Sequence, residues 1–214
     1  MADNYLEKRY EEVFGGRGGA TPGRRAPEGV ETLLRRTRSH RAYDQSYEVM
    51  ELQLEALVRA ATLVPSARNQ QVLRFKLLTR RSGSEKMQGL YRLGGALPEL
   101  HLPAPGTEPE AFIIVCSTVP ETRYVDIDLG IACEAMVLKA SELGLQSVII
   151  CAFDKAEVRE AFDLPFDPLA VIAIGKGTDK IVIDPVGEGA DLKYYRTDGI
   201  HHVPKIRPED LIIR

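Results

Sequence analysis

The order of hydrophobic patterns in this chain predicts a single domain of the α/β or α+β class. Three observations carry that reading. Four apolar, β-branched runs at residues 72–79, 111–118, 146–152 and 169–176 have the length and composition of strands. Helical patterns lie before and between them, at 49–64 and 128–143 above all. The 214 residues are 44% apolar and 28% charged, the balance of a globular chain that can bury a sizeable core.

Each element has its own warrant. Residues 1–30 read as an N-terminal arm, disordered or wrapped on a partner. They hold a charged stretch at 4–14 that suits a short helix, then a Gly-rich passage at 15–29 too irregular to pack alone. The globular part, 31–214, starts with a short basic helix at 31–38. Asp44 or Ser46 is expected to cap the next helix, in which Leu54, Leu57, Val58, Ala61 and Val64 repeat on one face. Pro65 ends it. A strand at 72–79 and a helix at 84–93 follow. Residues 94–109, with four Pro and three Gly, form a loop long enough to serve as a substrate lid.

The run at 111–118 is continuously apolar, as in a central strand buried on both faces. Residues 128–143 are apolar on nearly all sides, as in a central helix, and Gly144 supplies its left-handed stop. After the strand at 146–152, Asp154 caps a short helix reaching Phe162, and the fourth strand follows. Beyond Gly177 the chain is mostly polar, with one C-terminal strand and an apolar tail, Leu211 to Ile213, expected to dock at a distance.

Composition excludes several functions. A net charge of −3 gives no electrostatic footprint for nucleic acid or an anionic membrane. No apolar run approaches the roughly 20 residues of a membrane span, and the first residues lack a secretory pattern. Cys116, Cys133 and Cys151, an odd and scattered set in apolar surroundings, suit reduced thiols in a cytoplasmic protein. His201 and His202 have no carboxylate or cysteine at ligand spacing, so they read as loop histidines and no metal site is expected. Asp126 and Asp128 read as helix-start caps. Neither a G-x-G-x-x-G fingerprint nor a P-loop occurs.

Three polar clusters remain. Pro65, Ser66, Asn69, Gln70 and Gln71 join a helix to a strand and gather hydroxyl and amide donors and acceptors, which a flat heteroaromatic ligand would use. An ordinary polar turn is the bland alternative. Arg38, Ser39 and Arg41 form the second cluster. Lys205 and Arg207, alternating in an extended segment, form the third. Guanidinium forks match phosphate oxygens bidentately, whereas a solvated basic face would need no ligand.

In this order, R-S-x-R-x-Y, P-S-x-x-N-x-Q and P-K-x-R, the clusters resemble the nitroreductase family from about Thr37 onward. The resemblance implies an α+β fold, a mixed sheet sandwiched by helices, in an intertwined homodimer that exchanges C-terminal strands. It implies bound FMN, with NAD(P)H as reducing substrate and a nitroaromatic, quinone or related small molecule as acceptor. Arg38, Ser39, Arg41, Lys205 and Arg207 would hold the phosphate. Pro65, Ser66, Asn69 and Gln71 would contact the ring edge and ribityl chain. The strand end Ile150, Cys151 and Ala152 would approach the flavin, with the Cys151 main-chain N–H facing N5. Two departures stand out. Thr37 occupies a position that is basic in relatives, and Cys151 lies where relatives carry Pro and Gly. No catalytic side chain is implied, since the cofactor carries the hydride. The alternatives are a flavin sensor or carrier without turnover, and a reductase or dehydrogenase of the same fold specialised through the 94–109 loop.

Overall fold

The structure, a computed structural model, describes residues 29–214. Nearly all of the expected arm, including the helix read at 4–14, lies outside the described residues. Four strands form the central sheet in the order β1-β2-β4-β3: β1 (Leu73–Leu78), β2 (Ala111–Ser117), β3 (Gln146–Ile150) and β4 (Asp167–Gly175). Every neighbouring pair is antiparallel, with a register shift between Val115 and Cys116 where β2 meets β4. Each of these strands falls on a predicted run.

Side chains alternate across the sheet, so its two faces carry separate cores. On one face Ile113, Val115, Ile172 and Ile174 pack against helices α2 (Glu51–Ala61) and α3 (Arg123–Glu142). On the other, Phe112, Ile114, Val171 and Ala173 meet Met87, Tyr91 and Val158, the last from helix α4 (Lys155–Ala161). All seven β2 residues are buried, which explains its unbroken apolar sequence. The observed α+β architecture is the expected one. A short helix α1 (Val30–Arg36) precedes it.

Several local expectations fail. Neither Asp44 nor Ser46 caps α2: the Asp44 carboxylate instead accepts from the Ser46 N–H and hydroxyl, closing its own turn. The N-cap position falls to Met50, whose N–H donates to Gln53 Oε1 at 2.9 Å. Helix α3 starts five residues before Asp128, with the Thr122 hydroxyl accepting from Val125 N–H. The helix expected at 84–93 shrinks to one 3-10 turn, Ser84–Met87, before Tyr91 pairs with Phe153. Cys151 is exposed, unlike Cys116 and Cys133, because it follows the end of β3.

The largest difference lies after Gly177. Instead of a polar passage with one strand, the chain folds a second sheet in the order β5-β7-β6: β5 (Lys180–Val186), β6 (Tyr195–Thr197) and β7 (Ile200–Ile206). Strand β7 pairs parallel with β5 and antiparallel with β6. The two histidines therefore sit in a strand, not a loop. A last short helix, α5 (Pro208–Leu211), leads to a tail that stays exposed within this chain.

Candidate cofactor site

Segment 39–43 runs along the edge of the central sheet. Ser39 bridges Ser147 at the start of β3, and Tyr43 bridges Gly177 just past β4. Close approach requires glycine here: a Cβ on Gly177 would lie 2.3 Å from His40 Nδ1, and one on Gly175 would lie 2.6 Å from the Tyr43 ring. The Tyr43 side chain, 1% exposed, donates its hydroxyl to the His40 carbonyl at 2.9 Å. Burial raises its pKa well above normal, so the donor stays protonated.

This backbone presents two guanidiniums without a carboxylate partner among the described residues. The Arg38 Nε is buried and unpartnered. Half-burial lowers its pKa, opposed by Glu134 on α3, but arginine stays charged. Arg41 donates to the Ser39 carbonyl at 3.1 Å, lies 3.4 Å from His201 Nε2, and stacks 4.9 Å from the Tyr194 ring centre. His201 is buried, and its pKa is lowered to about 4 by burial first and by Arg41 and Arg196 next, with Asp179 opposing. His40 is lowered too, chiefly by burial. Both rings are therefore neutral near pH 7. Neutral rings leave the positive charge of this corner, among the described residues, to its arginines, of which Arg196 is paired with Asp179.

The 65–71 cluster forms a tight loop between α2 and β1. Arg68, Asn69 and Gln71 all have left-handed backbone, at φ 52°, 54° and 48°. Such conformations cost about 1–3 kcal/mol each and persist only where their surroundings enforce them. The loop is anchored next to these residues by Asp128, buried in α3, whose Oδ1 accepts from the Ala67 N–H at 2.8 Å. Gln71 also donates to Asn69 Oδ1 at 3.0 Å. The Ser66 hydroxyl is buried and has no partner. It lies at a cavity of about 340 Å³ whose walls include Pro65, Asn69, Gln71, Phe75 and Ala132. Asp128 is thus a loop brace, not a helix cap.

The end of β3, expected to approach the flavin, keeps Ile150 buried and exposes Cys151 and Ala152; the Ala152 carbonyl accepts from Arg92 N–H. It shares a sheet end with the 65–71 loop, three strand spacings away, or roughly 14 Å. Segment 39–43 lies toward the other end of β3. Arg207 pairs with Asp210 and Glu209 of its own tail, and Lys205 is exposed. Both follow His201 on β7, by four and six residues, so roughly 13–20 Å of strand separates them from Arg41. Within one chain, then, the predicted groups form distinct patches. Arg41 and β7 meet through His201, while the 65–71 loop stands apart.

The residues present fit a flavin nucleotide by their chemistry. An unpartnered buried hydroxyl beside a cavity suits a heteroaromatic edge, and two guanidiniums without a carboxylate partner among the described residues suit a phosphate. Sequence reading missed Asp128, Asp179 and Tyr194, which position these groups. The 94–109 loop joins the same corner, since Ala96 N–H donates to the Tyr194 hydroxyl and Thr107 carbonyl accepts from Tyr43 N–H.

An α+β sheet with helices on both faces, carrying this polar loop and arginine pair, places the protein in a class of oxidoreductase folds. The sequence profile described as Nitroreductase family matches residues 34–176, and the chain belongs to that family of oxidoreductases. A provisionally named NADH dehydrogenase/NAD(P)H nitroreductase of Archaeoglobus fulgidus is 27% identical over 151 residues, 67% of this chain and 81% of that protein. A nitroreductase family protein of Clostridium difficile superposes with a TM-score of 0.56 at 25% identity, covering 71% of this chain and 86% of its own. An FMN-dependent nitroreductase from the same species gives 0.56 at 24%, covering 69% and 87%. The family match ends at Lys176, so β5, β6 and β7 lie beyond it. Among the described residues no helix is long and apolar enough to cross a membrane.

Proposed function

We propose that this protein is an FMN-dependent NAD(P)H oxidoreductase acting on a nitroaromatic, quinone or related acceptor. One observation carries the reading: among the described residues Arg38 and Arg41, on either side of Ser39 and His40, have no ion-pair partner, and such a half-buried pair of guanidiniums would suit an anion. Bound FMN would supply the acceptance of hydride from NAD(P)H and its return to the acceptor.

The chain's own residues bind, orient and shield. Arg38, Ser39 and Arg41 would take the phosphate, with Lys205 and Arg207 contributing where β7 reaches it. Ser66, Asn69 and Gln71 would meet the polar ring edge and ribityl hydroxyls. The strand end Ile150, Cys151 and Ala152 would offer main-chain groups, so the drift of residue 151 to cysteine costs little. No side chain is nominated as catalytic.

A second copy of the chain would bring the separated patches together. An exposed apolar surface supports this homodimer: Tyr124 and Ile127 on α3 and Leu63 after α2 are 64%, 47% and 82% exposed. The exposed tail, Leu211 to Ile213, supports exchange of C-terminal segments. Three free cysteines support a cytoplasmic setting.

The test is spectroscopic. Purified protein should be yellow, and its visible absorbance should bleach under nitrogen on adding NADH or NADPH, then return with a quinone or nitroaromatic. Flavin that neither nucleotide reduces would indicate a carrier or sensor. A colourless protein that takes up no FMN would end the proposal.

A further inference from the structure

The structure assigns to Asp179 a positioning role: it sets the main chain of the phosphate-binding segment and, through Arg196, makes the C-terminal sheet part of that site. The inference rests on the reading of Ser39 and Arg41 as phosphate ligands, and it concerns a residue beyond the family match.

The Asp179 side chain is 7% exposed. Its Oδ2 accepts from two consecutive main-chain donors, Arg41 N–H at 2.6 Å and Ala42 N–H at 3.0 Å. Its Oδ1 accepts from Arg196 Nη2 of β6 at 2.6 Å. Thr178 N–H donates to the Ala42 carbonyl and Asp44 N–H to the Lys176 carbonyl, so a short antiparallel ladder frames the same turn. One carboxylate oxygen holding adjacent N–H groups fixes the peptide from which the Arg41 side chain departs. That side chain is then steered by the Ser39 carbonyl, His201 and the Tyr194 ring, the last two both from the C-terminal region.

Charge explains why the arrangement suits an anion site. A buried carboxylate this close would pair with the Arg41 guanidinium or repel a phosphate. Asp179 does neither, because its oxygens are spent on main-chain donors and on Arg196, whose charge neutralises it. Arg41 keeps its charge for a ligand, held in one orientation before that ligand arrives. Pre-organisation of this kind raises affinity by lowering the ordering cost of binding.

The test compares FMN with riboflavin, which lacks the phosphate, by titrating the full-length protein and following flavin fluorescence. The charge-balanced variant Asp179→Ala/Arg196→Gln should weaken FMN binding at least tenfold while riboflavin changes less than twofold. Should that variant fail to fold, as judged by far-UV circular dichroism, Asp179→Asn/Arg196→Gln should weaken FMN alone by about threefold. Equal loss for both ligands would reveal a merely structural role, and no loss would remove Asp179 from the site; either overturns the inference. Wild-type protein that binds FMN no better than riboflavin would instead refute the phosphate reading itself, and the inference with it.

Discussion

Replacing Asp128 by alanine tests whether the 65–71 loop is held by a single buried carboxylate. Asp128 is 5% exposed, and its Oδ1 accepts from the Ala67 N–H at 2.8 Å, linking α3 to a loop 61 residues earlier in the chain. A hydrogen bond to a charged group contributes about 1.5–3 kcal/mol. The loop also stores strain, since Arg68, Asn69 and Gln71 occupy left-handed conformations. Removing the brace lets that strain relax, so part of the loss appears as local opening rather than global unfolding. Asp128→Ala should therefore lower global stability by about 1.5–3 kcal/mol, or a Tm fall of about 3–12 °C for a chain of this size. Amide exchange at residues 66–71 should accelerate more than exchange in β2. Asp128→Asn keeps a carbonyl acceptor and should lose about half as much. Thermal melts and hydrogen-exchange mass spectrometry of the flavin-free protein measure both effects. An unchanged Tm together with unchanged exchange at 66–71 would refute the reasoning, because nothing else on α3 is bonded to the loop in the same way.

Two further outcomes follow from the corner around His40 and His201. Gly177→Ala places a methyl group 2.3 Å from His40 Nδ1 and 2.7 Å from Gln146 Cβ, an overpacking that should cost about 1–3 kcal/mol in urea denaturation; an unaffected midpoint would mean segment 39–43 does not sit on the end of β4. Stability should also depend on pH through His201, whose pKa of about 4 lies below the usual 6.5 of the unfolded chain. Between those values the unfolded state binds the extra proton, so stability is complete above pH 6.5 and falls as pH drops toward 4. Burial first, then Arg41, Arg196 and His202, hold the ring neutral against the pull of Asp179. His201→Asn should flatten the stability profile from pH 6.5 to 4 relative to wild type, and an identical slope in both would refute the assignment.

The elements that sequence revealed are those whose signal is carried by their own residues. Strand β2 was legible because both of its faces are covered, which leaves no polar alternation to confuse it. Helix α3 was legible where it is buried but not at its start, because Arg123 and Tyr124 face outward and mask the cap at Thr122. The 84–93 segment has a helical composition, yet Met87 and Tyr91 are drawn separately onto the sheet, and the packing wins over propensity. The C-terminal sheet had no comparable signal. Strand β6 is three residues long, β5 contains Pro185 and β7 contains Pro204, and β5 pairs with β7 across an irregular connection that only the tertiary fold selects.

The same distinction divides the candidate site. Ser66, Asn69, Arg38 and Arg41 were visible because each carries its chemistry on its own side chain within a short motif. Asp128 and Asp179 were not, although they control where those groups point. What each of them recognises is a main-chain N–H, 61 residues away for Asp128 and 138 for the Asp179–Arg41 pair. A main-chain donor looks the same at every residue but proline, so no spacing or residue type marks the partner. Side chains proposed to contact a ligand carry a signal within the chain, whereas those that would orient them emerge only when distant backbone is brought together. For this protein that argues that variation at Asp179 and Arg196, outside the family match, would tune affinity for the proposed phosphate without altering a side chain proposed to contact it.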